Sequence, residues 1–328
     1  MLKRILLLVL ILGVALFSAA CKSTGQTGGQ SDVSSGAGTG VTGAEVDEPE
    51  VITVVHQLGE TPVVKNPQTV VVFDFGTLDT LDKLGVQVKA VPKSHVPGYL
   101  EKYGTDAYEN AGGLMEPDFE AINAMKPDLI IISGRQLDFY EEFAKIGPTI
   151  YLAVDNTQYM KSFKVNAETI GRIFGKEEEV KQELERIEAT IEELKKKAAE
   201  EGDKKGLVVL TTGGKVSAYG PGSRFGVIHD DFGIKPVDET IEASTHGMSI
   251  SFEYIAEKDP DYLFVVDRDA VVGGQAGAQE VIENDLVKGT KAYKDGKIIY
   301  LDPNYWYLSG GGLISVSEMV KAIEAVFE

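Results

Sequence analysis

The sequence predicts an α/β fold of two lobes with mostly parallel sheets, joined by a helical stretch. Three observations predict it. Short apolar runs alternate with amphipathic segments from residue 70 to residue 153. One helix–turn–strand motif occurs twice, far apart in the chain. Between the copies lies a stretch, roughly 157–200, with helical periodicity and no strand signal. Alternating strands and helices imply a parallel sheet covered by helices.

The elements follow in order. VVVF (70–73) is a continuous apolar run, as in a buried strand, and TLDTLDKLG (77–85) is an amphipathic helix closed by Gly85. VKAVP (88–92) is the next strand. FEAINAMKPDLIIIS (119–133) gives a helix, a Lys-Pro-Asp turn and a strand. FYEEFAKIG (139–147) and TIYLA (149–153) add a helix and a strand. The motif Phe119-Glu120-x-Ile122, Pro127-Asp128 and an apolar run then returns, with identical spacing, as Phe252-Glu253-x-Ile255, Pro260-Asp261 and YLFVV. Two copies so far apart indicate two lobes of similar design, since solenoid repeats are shorter.

The central stretch should break at Phe174-Gly175-Lys176, because Gly suits a helix C-terminus. Beyond it Val180, Leu184, Ile187, Ile191, Leu194 and Ala198 form one apolar helix face. LVVLTT (207–212), the second repeat unit, KIIYLD (297–302) and a helix near 314–327 complete the second lobe. The implied organisation is an N-terminal lobe over 51–155, an interlobe helix over 156–176 and a C-terminal lobe over 177–328.

The first 50 residues read differently. Lys3 and Arg4 precede an apolar run from Ile5 to Phe17, and Ser18, Ala19 and Ala20 follow. That is the layout of a secretory signal peptide over 1–20, and the run is shorter than a membrane span needs. Ser18-Ala19-Ala20-Cys21 resembles a bacterial lipobox, although leucine is more usual where Ser18 stands. Cys21 is the chain's one cysteine, so it is expected to be lipidated. Residues 21–50 would then be a lipidated N-terminus and a flexible Gly/Ser/Thr-rich linker.

Composition excludes several functions. A net charge of −19 argues against a nucleic-acid binder, which needs a basic surface. A single cysteine leaves no intrachain disulfide and no multi-cysteine zinc site. No phosphate loop, dinucleotide fingerprint, zinc-protease motif or nucleophile elbow is present. SGGGL (309–313) precedes a helix, but no lysine follows it and it reads as a turn.

Arginine usage points to a ligand site instead. Six arginines stand among 32 basic residues. Arg135 and Arg268 end the strands of the two repeat units, and Arg224 lies in the loop YGPGSRF (219–225). In open α/β sheets ligands bind beyond the carboxyl ends of strands. A guanidinium grips carboxylates bidentately and stacks on aromatic rings. Three such residues in a lysine-rich chain suggest a cleft for an anionic, aromatic ligand; structural ion pairs are the plainer alternative. His246 in STHGMS (244–249) and Tyr307 in NYWYLSGGG (304–312) lie on loops beside strands, where ligand groups are often carried. An imidazole ligates metals and a phenolate suits a hard cation, although a lone histidine is more often structural.

The lipobox, two lobes and interlobe helix resemble the substrate-binding lipoproteins of bacterial iron-siderophore ABC importers. The match is nearest to the petrobactin/catecholate-type binding proteins. It is carried by KVSAYGPGSRFGVIHDDFG (215–233), THGMSISFEYI (245–255), PDYLFVVDR (260–268) and KIIYLDPNYWYLSGGG (297–312). The resemblance implies a class III, helical-backbone metal-receptor-type fold, two α/β lobes with mostly parallel sheets joined by a single long helix, with little domain closure. It implies that Arg135, Arg224 and Arg268 surround a ferric catecholate. It also implies that His246 and Tyr307 complete iron coordination when a siderophore supplies too few oxygens, and that Glu120 and Glu253 dock on permease subunits. The expectation is therefore a monomeric, extracytoplasmic, membrane-anchored binding protein, not an enzyme, with no intrinsic cofactor and Fe(III) carried as siderophore complex. Haem, cobalamin or bare-metal binding and a secreted hydrolase are the alternatives. Haem or cobalamin would not call for three arginines, a bare metal would want several convergent ligands, and a hydrolase would need a nucleophile–base pair.

Overall fold

The computed structural model describes residues 49–274 and 277–327. The expected signal peptide, Cys21 and nearly all of the linker lie outside the described residues. The chain enters through an antiparallel hairpin, β1 (Val51–His56) and β2 (Gly59–Val64). Sequence reading missed it, because Pro62 argues against a strand. In a two-stranded sheet every strand is an edge, and the proline is accommodated there.

The apolar runs then pair into a five-stranded sheet of β3 (Val70–Val72), β4 (Ala90–Val91), β5 (Glu109–Asn110), β6 (Leu129–Ile132) and β7 (Thr149–Tyr151). Its order is β5-β4-β3-β6-β7 and every pair is parallel. Helices α1 (Phe75–Lys83), α2 (Phe119–Met125) and α3 (Tyr140–Ile146) connect the strands. The α1 helix starts two residues earlier than its apolar pattern suggests. Asp74 caps it, accepting from Thr77 N at 2.7 Å.

The chain leaves this sheet through α4 (Tyr159–Phe174) and α5 (Glu177–Glu200). Two successive helices thus occupy the stretch between the sheets. They part at Gly175, whose φ of +61° ends α4 in the left-handed conformation, as the sequence implied.

The second sheet contains β8 (Lys205–Thr212), β9 (Lys215–Tyr219), β10 (Lys235–Pro236), β11 (Met248–Ile250), β12 (Tyr262–Asp267) and β13 (Ile298–Leu301). The order is β11-β9-β8-β12-β13, with β10 also on β8. Here β8 pairs in parallel with β10 and β12, and β12 with β13. The β8–β9 and β9–β11 pairs are antiparallel. Gly213 and Gly214, at φ +55° and +74°, close the β8–β9 hairpin, and two-residue hairpin turns favour such backbone. Helices α6 (Val227–Asp230), α7 (Phe252–Lys258), α8 (Asp269–Val272), α9 (Ala278–Ile282), α10 (Lys291–Lys294) and α11 (Leu313–Glu324) complete it.

The two repeat units share their joints as well as their spacing. Lys126 and Asp259 end α2 and α7 in the left-handed region, at φ 51° and 43°. Asp128 then accepts from Thr69 N just before β3, and Asp261 from Lys205 N at the start of β8, both at 2.8 Å. Each aspartate fastens the strand of its unit to the central strand beside it, β3 or β8.

Alternate side chains of each strand point to opposite faces. Val70 and Val72, Val208 and Leu210, and Phe264 and Val266 share one continuous core with residues of α1, α4, α5 and α11. Val71, Ile130 and Ile132 face a second core. Leu207, Val209, Leu263 and Val265 face a third. Inner faces of both sheets therefore belong to one apolar cluster, which restrains movement of one half against the other.

Helices α1 and α11 meet where that cluster ends. A Cβ at Gly76 would lie 2.8 Å from Gly310 O and 3.0 Å from Ser309 O, so glycine permits the approach. Asp79 is fully buried. It accepts from Ile314 N at 3.1 Å, Ser315 N at 2.9 Å and Tyr99 Oη at 3.0 Å. The α1 carboxyl thus satisfies unpaired amides at the start of α11. Burial pushes its pKa from 3.8 up to about 7, against the pull of those hydrogen bonds. The folded state therefore holds this proton more tightly than the unfolded state. The stability it contributes is complete below about pH 4 and lost as pH rises through about 7. Asp79→Asn should flatten that part of the stability–pH curve, measured by denaturant unfolding across the window. An unchanged slope would show that other groups set it.

Candidate functional site

The segment after β13 forms the centre of the site. Residues Asn304–Ser309 make a single wide turn, with Gly310 N donating to Tyr305 O at 2.8 Å. Such i→i−5 turns are rare and are found often at functional sites. The turn is tied to the first half of the chain. Gly98 N donates to Asn304 Oδ1 at 3.0 Å. The Tyr99 hydroxyl lies 2.7 Å from Ser309 Oγ, and its ring packs on Tyr305 at 4.6 Å. Trp306 and Leu308 are buried, which leaves the intervening Tyr307 to project into the cluster described next.

The three arginines singled out by sequence converge on Tyr307. Arg135 follows β6, and its Nη2 donates to Tyr307 O at 2.8 Å while Nη1 donates to Leu308 O at 3.3 Å. Arg224, in the loop after β9, donates from Nη2 to the same Tyr307 carbonyl at 2.7 Å. Arg268, after β12, donates from Nε to Tyr307 Oη at 2.8 Å. The guanidinium carbons lie 4.3 Å (Arg224), 5.8 Å (Arg268) and 5.9 Å (Arg135) from the ring centroid. These distances fall in the range of cation–π attraction. Arg135 and Arg268 occupy the same position of the two repeat units, so the repeat delivers one cation from each sheet.

The cluster is strongly positive. Burial and the neighbouring Arg224 charge lower the Arg135 pKa, while Asp74 and Tyr307 oppose them. Burial would push the Tyr307 phenol up. The Arg268 hydrogen bond and the charges of Arg224, Arg268 and Arg135 outweigh it and hold the phenol below its ordinary value. Asp74 is half-buried near Arg135 and accepts from Ser133 Oγ at 2.8 Å. A bare metal cation would be repelled here, whereas a compact anion with aromatic rings would meet charge and stacking surface together.

His246 is exposed, on the loop before β11. That loop is bound to the cluster through its backbone. Tyr219 Oη donates to His246 O at 3.1 Å, and Arg224 N donates to Ser244 O at 3.2 Å. The structure thus joins the His246 loop to the Arg224 loop, while the His246 ring makes no hydrogen bond to the cluster among the described residues. Glu120 and Glu253 stand apart from the cluster. Each is exposed at the second residue of its helix, α2 or α7. Cys21 lies outside the described residues.

Sequence reading missed the groups that support the cluster: Asp74, Asp79, Tyr99, Ser309 and Thr212. Their signal was weak. Asp79 in TLDTLDKL could have been noticed as an acid flanked by core leucines, but no spacing ties it to a loop so far along the chain. A groove of about 710 Å³ lies elsewhere, between α4 and α5. Its rim mixes Lys164, Arg172 and Lys181 with Glu168, Glu185 and Glu188, so it offers a polyanion no comparable field.

The sequence and the fold both match known proteins. The family model described as periplasmic binding protein matches residues 70–305. The petrobactin-binding protein YclQ of Bacillus subtilis is 50% identical over 326 residues, covering 98% of each chain. Its crystal structure superposes with a TM-score of 0.83 at 54% identity, over 85% of this chain and 99% of that one. The periplasmic catecholate-siderophore binding protein VctP of Vibrio cholerae gives a TM-score of 0.80 at 40% identity, over 84% and 100% of the two chains. The siderophore-binding protein BauB, bound to a complex of two acinetobactin molecules and ferric iron, gives 0.79 at 35%, over 85% and 99%. With the family model spanning both sheets and a full-length relative sharing half its residues, the chain belongs to the periplasmic binding protein family.

Proposed function

We propose that this chain captures a ferric catecholate-type siderophore, petrobactin-like, and delivers it to an ABC permease for iron uptake. The observation that carries this reading is the convergence of Arg135, Arg224 and Arg268 on Tyr307. A ferric catecholate is a compact polyanion with aromatic faces. Guanidinium groups neutralise it and stack on its rings, where lysine would only neutralise it. The chain's net charge of −19 would repel such a ligand at long range. Capture therefore depends on the local cluster, with distant charges screened beyond roughly 8–10 Å. The relatives named above, which bind siderophores, support the same ligand class. Nothing in this role requires bond-making by the protein.

In this reading His246 and Tyr307 complete the coordination of iron when the siderophore supplies too few oxygens. Glu120 and Glu253, exposed at matching positions of the repeat, dock on the permease subunits. Cys21 carries the lipid, and residues 22–50 tether a monomeric domain to the outer face of the cell membrane.

Trp306 adjoins Tyr307 and reports on the site. Titration with ferric catecholates should quench its fluorescence, and no quenching by any of them would contradict the reading. Arg135→Ala, Arg224→Ala and Arg268→Ala should each weaken binding by about 1.5–3 kcal/mol, the cost of a lost charge-assisted hydrogen bond. Unchanged affinity would remove that arginine from the site. Tyr307→Phe and His246→Ala should weaken tetradentate ligands and largely spare hexadentate ones. Equal losses for both would refute direct coordination. Cys21→Ser should release the protein to the medium or leave it at precursor mass, and retention on the membrane would refute the anchor.

A further inference from the structure

The three guanidinium groups are not held alike. Among the described residues, the Arg135 and Arg224 guanidinium groups donate only to the backbone carbonyls of Tyr307 and Leu308. Arg268 is held by side chains of its own half. Its Nη1 donates to Thr212 Oγ1 at 3.1 Å and lies 3.8 Å from Asp269 Oδ1. Thr212 Oγ1 donates to Asp269 Oδ1 at 3.3 Å, and Gly213 N donates to Asp269 Oδ2 at 2.6 Å. One carboxylate thus fastens the tip of the β8–β9 hairpin to the start of α8, with the Arg268 head between them. The side chain of Asp269 is 10% exposed, against 39% for Arg268.

We propose that Thr212 and Asp269 are positioning residues, which lock Arg268 so that its Nε is aimed at the Tyr307 phenol oxygen. Arg268 is then the partner of Tyr307, and the ligand's charge falls mainly to Arg135 and Arg224. Two physical arguments favour this division. A free arginine head has many rotamers, and fixing two of its nitrogens removes that freedom before the ligand arrives. Asp269 also offsets part of the Arg268 charge at ion-pair distance, whereas among the described residues neither Arg135 nor Arg224 has a carboxylate ion pair, and Asp74 attracts Arg135 only from farther off. The inference rests on the proposed role of Tyr307 as an oxygen ligand to ferric iron.

Thr212→Val keeps the shape and removes the hydroxyl, while Thr212→Ser keeps the hydroxyl. With a tetradentate ferric catecholate, Thr212→Val should weaken binding about threefold to tenfold, and Thr212→Ser by less than about twofold. In an Arg268→Ala background Thr212→Val should cause no further loss, because its effect passes through Arg268. The same two substitutions should be non-additive in denaturant unfolding of the ligand-free protein. Additive effects in both measurements, or a serine variant as weak as the valine one, would overturn the proposal. The unfolding cycle needs no iron. If Tyr307→Phe leaves tetradentate binding intact, the coordination role fails, while the unfolding cycle still decides whether the clamp exists.

Discussion

One peptide carbonyl organises the site. The oxygen of Tyr307 accepts a guanidinium from each half of the molecule, Arg135 beyond β6 and Arg224 beyond β9. Two like charges held at one acceptor repel each other, and burial adds to the cost. The wide turn at Asn304–Ser309 makes the arrangement tolerable by presenting successive carbonyls, with the half-buried Asp74 nearby on the Arg135 side. That turn is in turn anchored by α1. Gly76 lets the two backbones approach, and Asp79 satisfies the amides that follow.

A continuous core behind the site keeps this geometry intact. Inner faces of both sheets share apolar contacts with α1, α4, α5 and α11. Large relative movements of the halves would expose that surface, at roughly 25 cal/mol for each Å². Recognition then proceeds by loop and side-chain adjustment around a rigid frame. The frame also explains why few residues suffice. Of 32 basic residues in a chain of net charge −19, three placed at strand ends create the local field.

Much of the fold was legible because its signals are local. The βα alternation, the Gly175 break and the duplicated helix–turn–strand units all depend on neighbours in sequence. The duplicated units also located Arg135 and Arg268 at equivalent positions. What escaped was set by distant partners. Pro62 hid a hairpin, and the antiparallel pairing of β9 depended on the Gly213-Gly214 turn inside an apparently parallel lobe. The gathering of three arginines around Tyr307 was not derivable from spacing, which placed Arg135 and Arg268 at strand ends and Arg224 in a loop and suggested only that they share a cleft. Thr212 gave no warning and Asp79 only a weak one, since their roles exist only through residues far along the chain.

The most direct test of the account is a crystal structure of this chain with a ferric tetradentate catecholate. Iron is expected beside Tyr307, with the phenol oxygen in its coordination sphere. The guanidinium groups of Arg135 and Arg224 should lie against the catecholate oxygens and rings. A siderophore seated in the groove between α4 and α5, with the arginine cluster untouched, would contradict it.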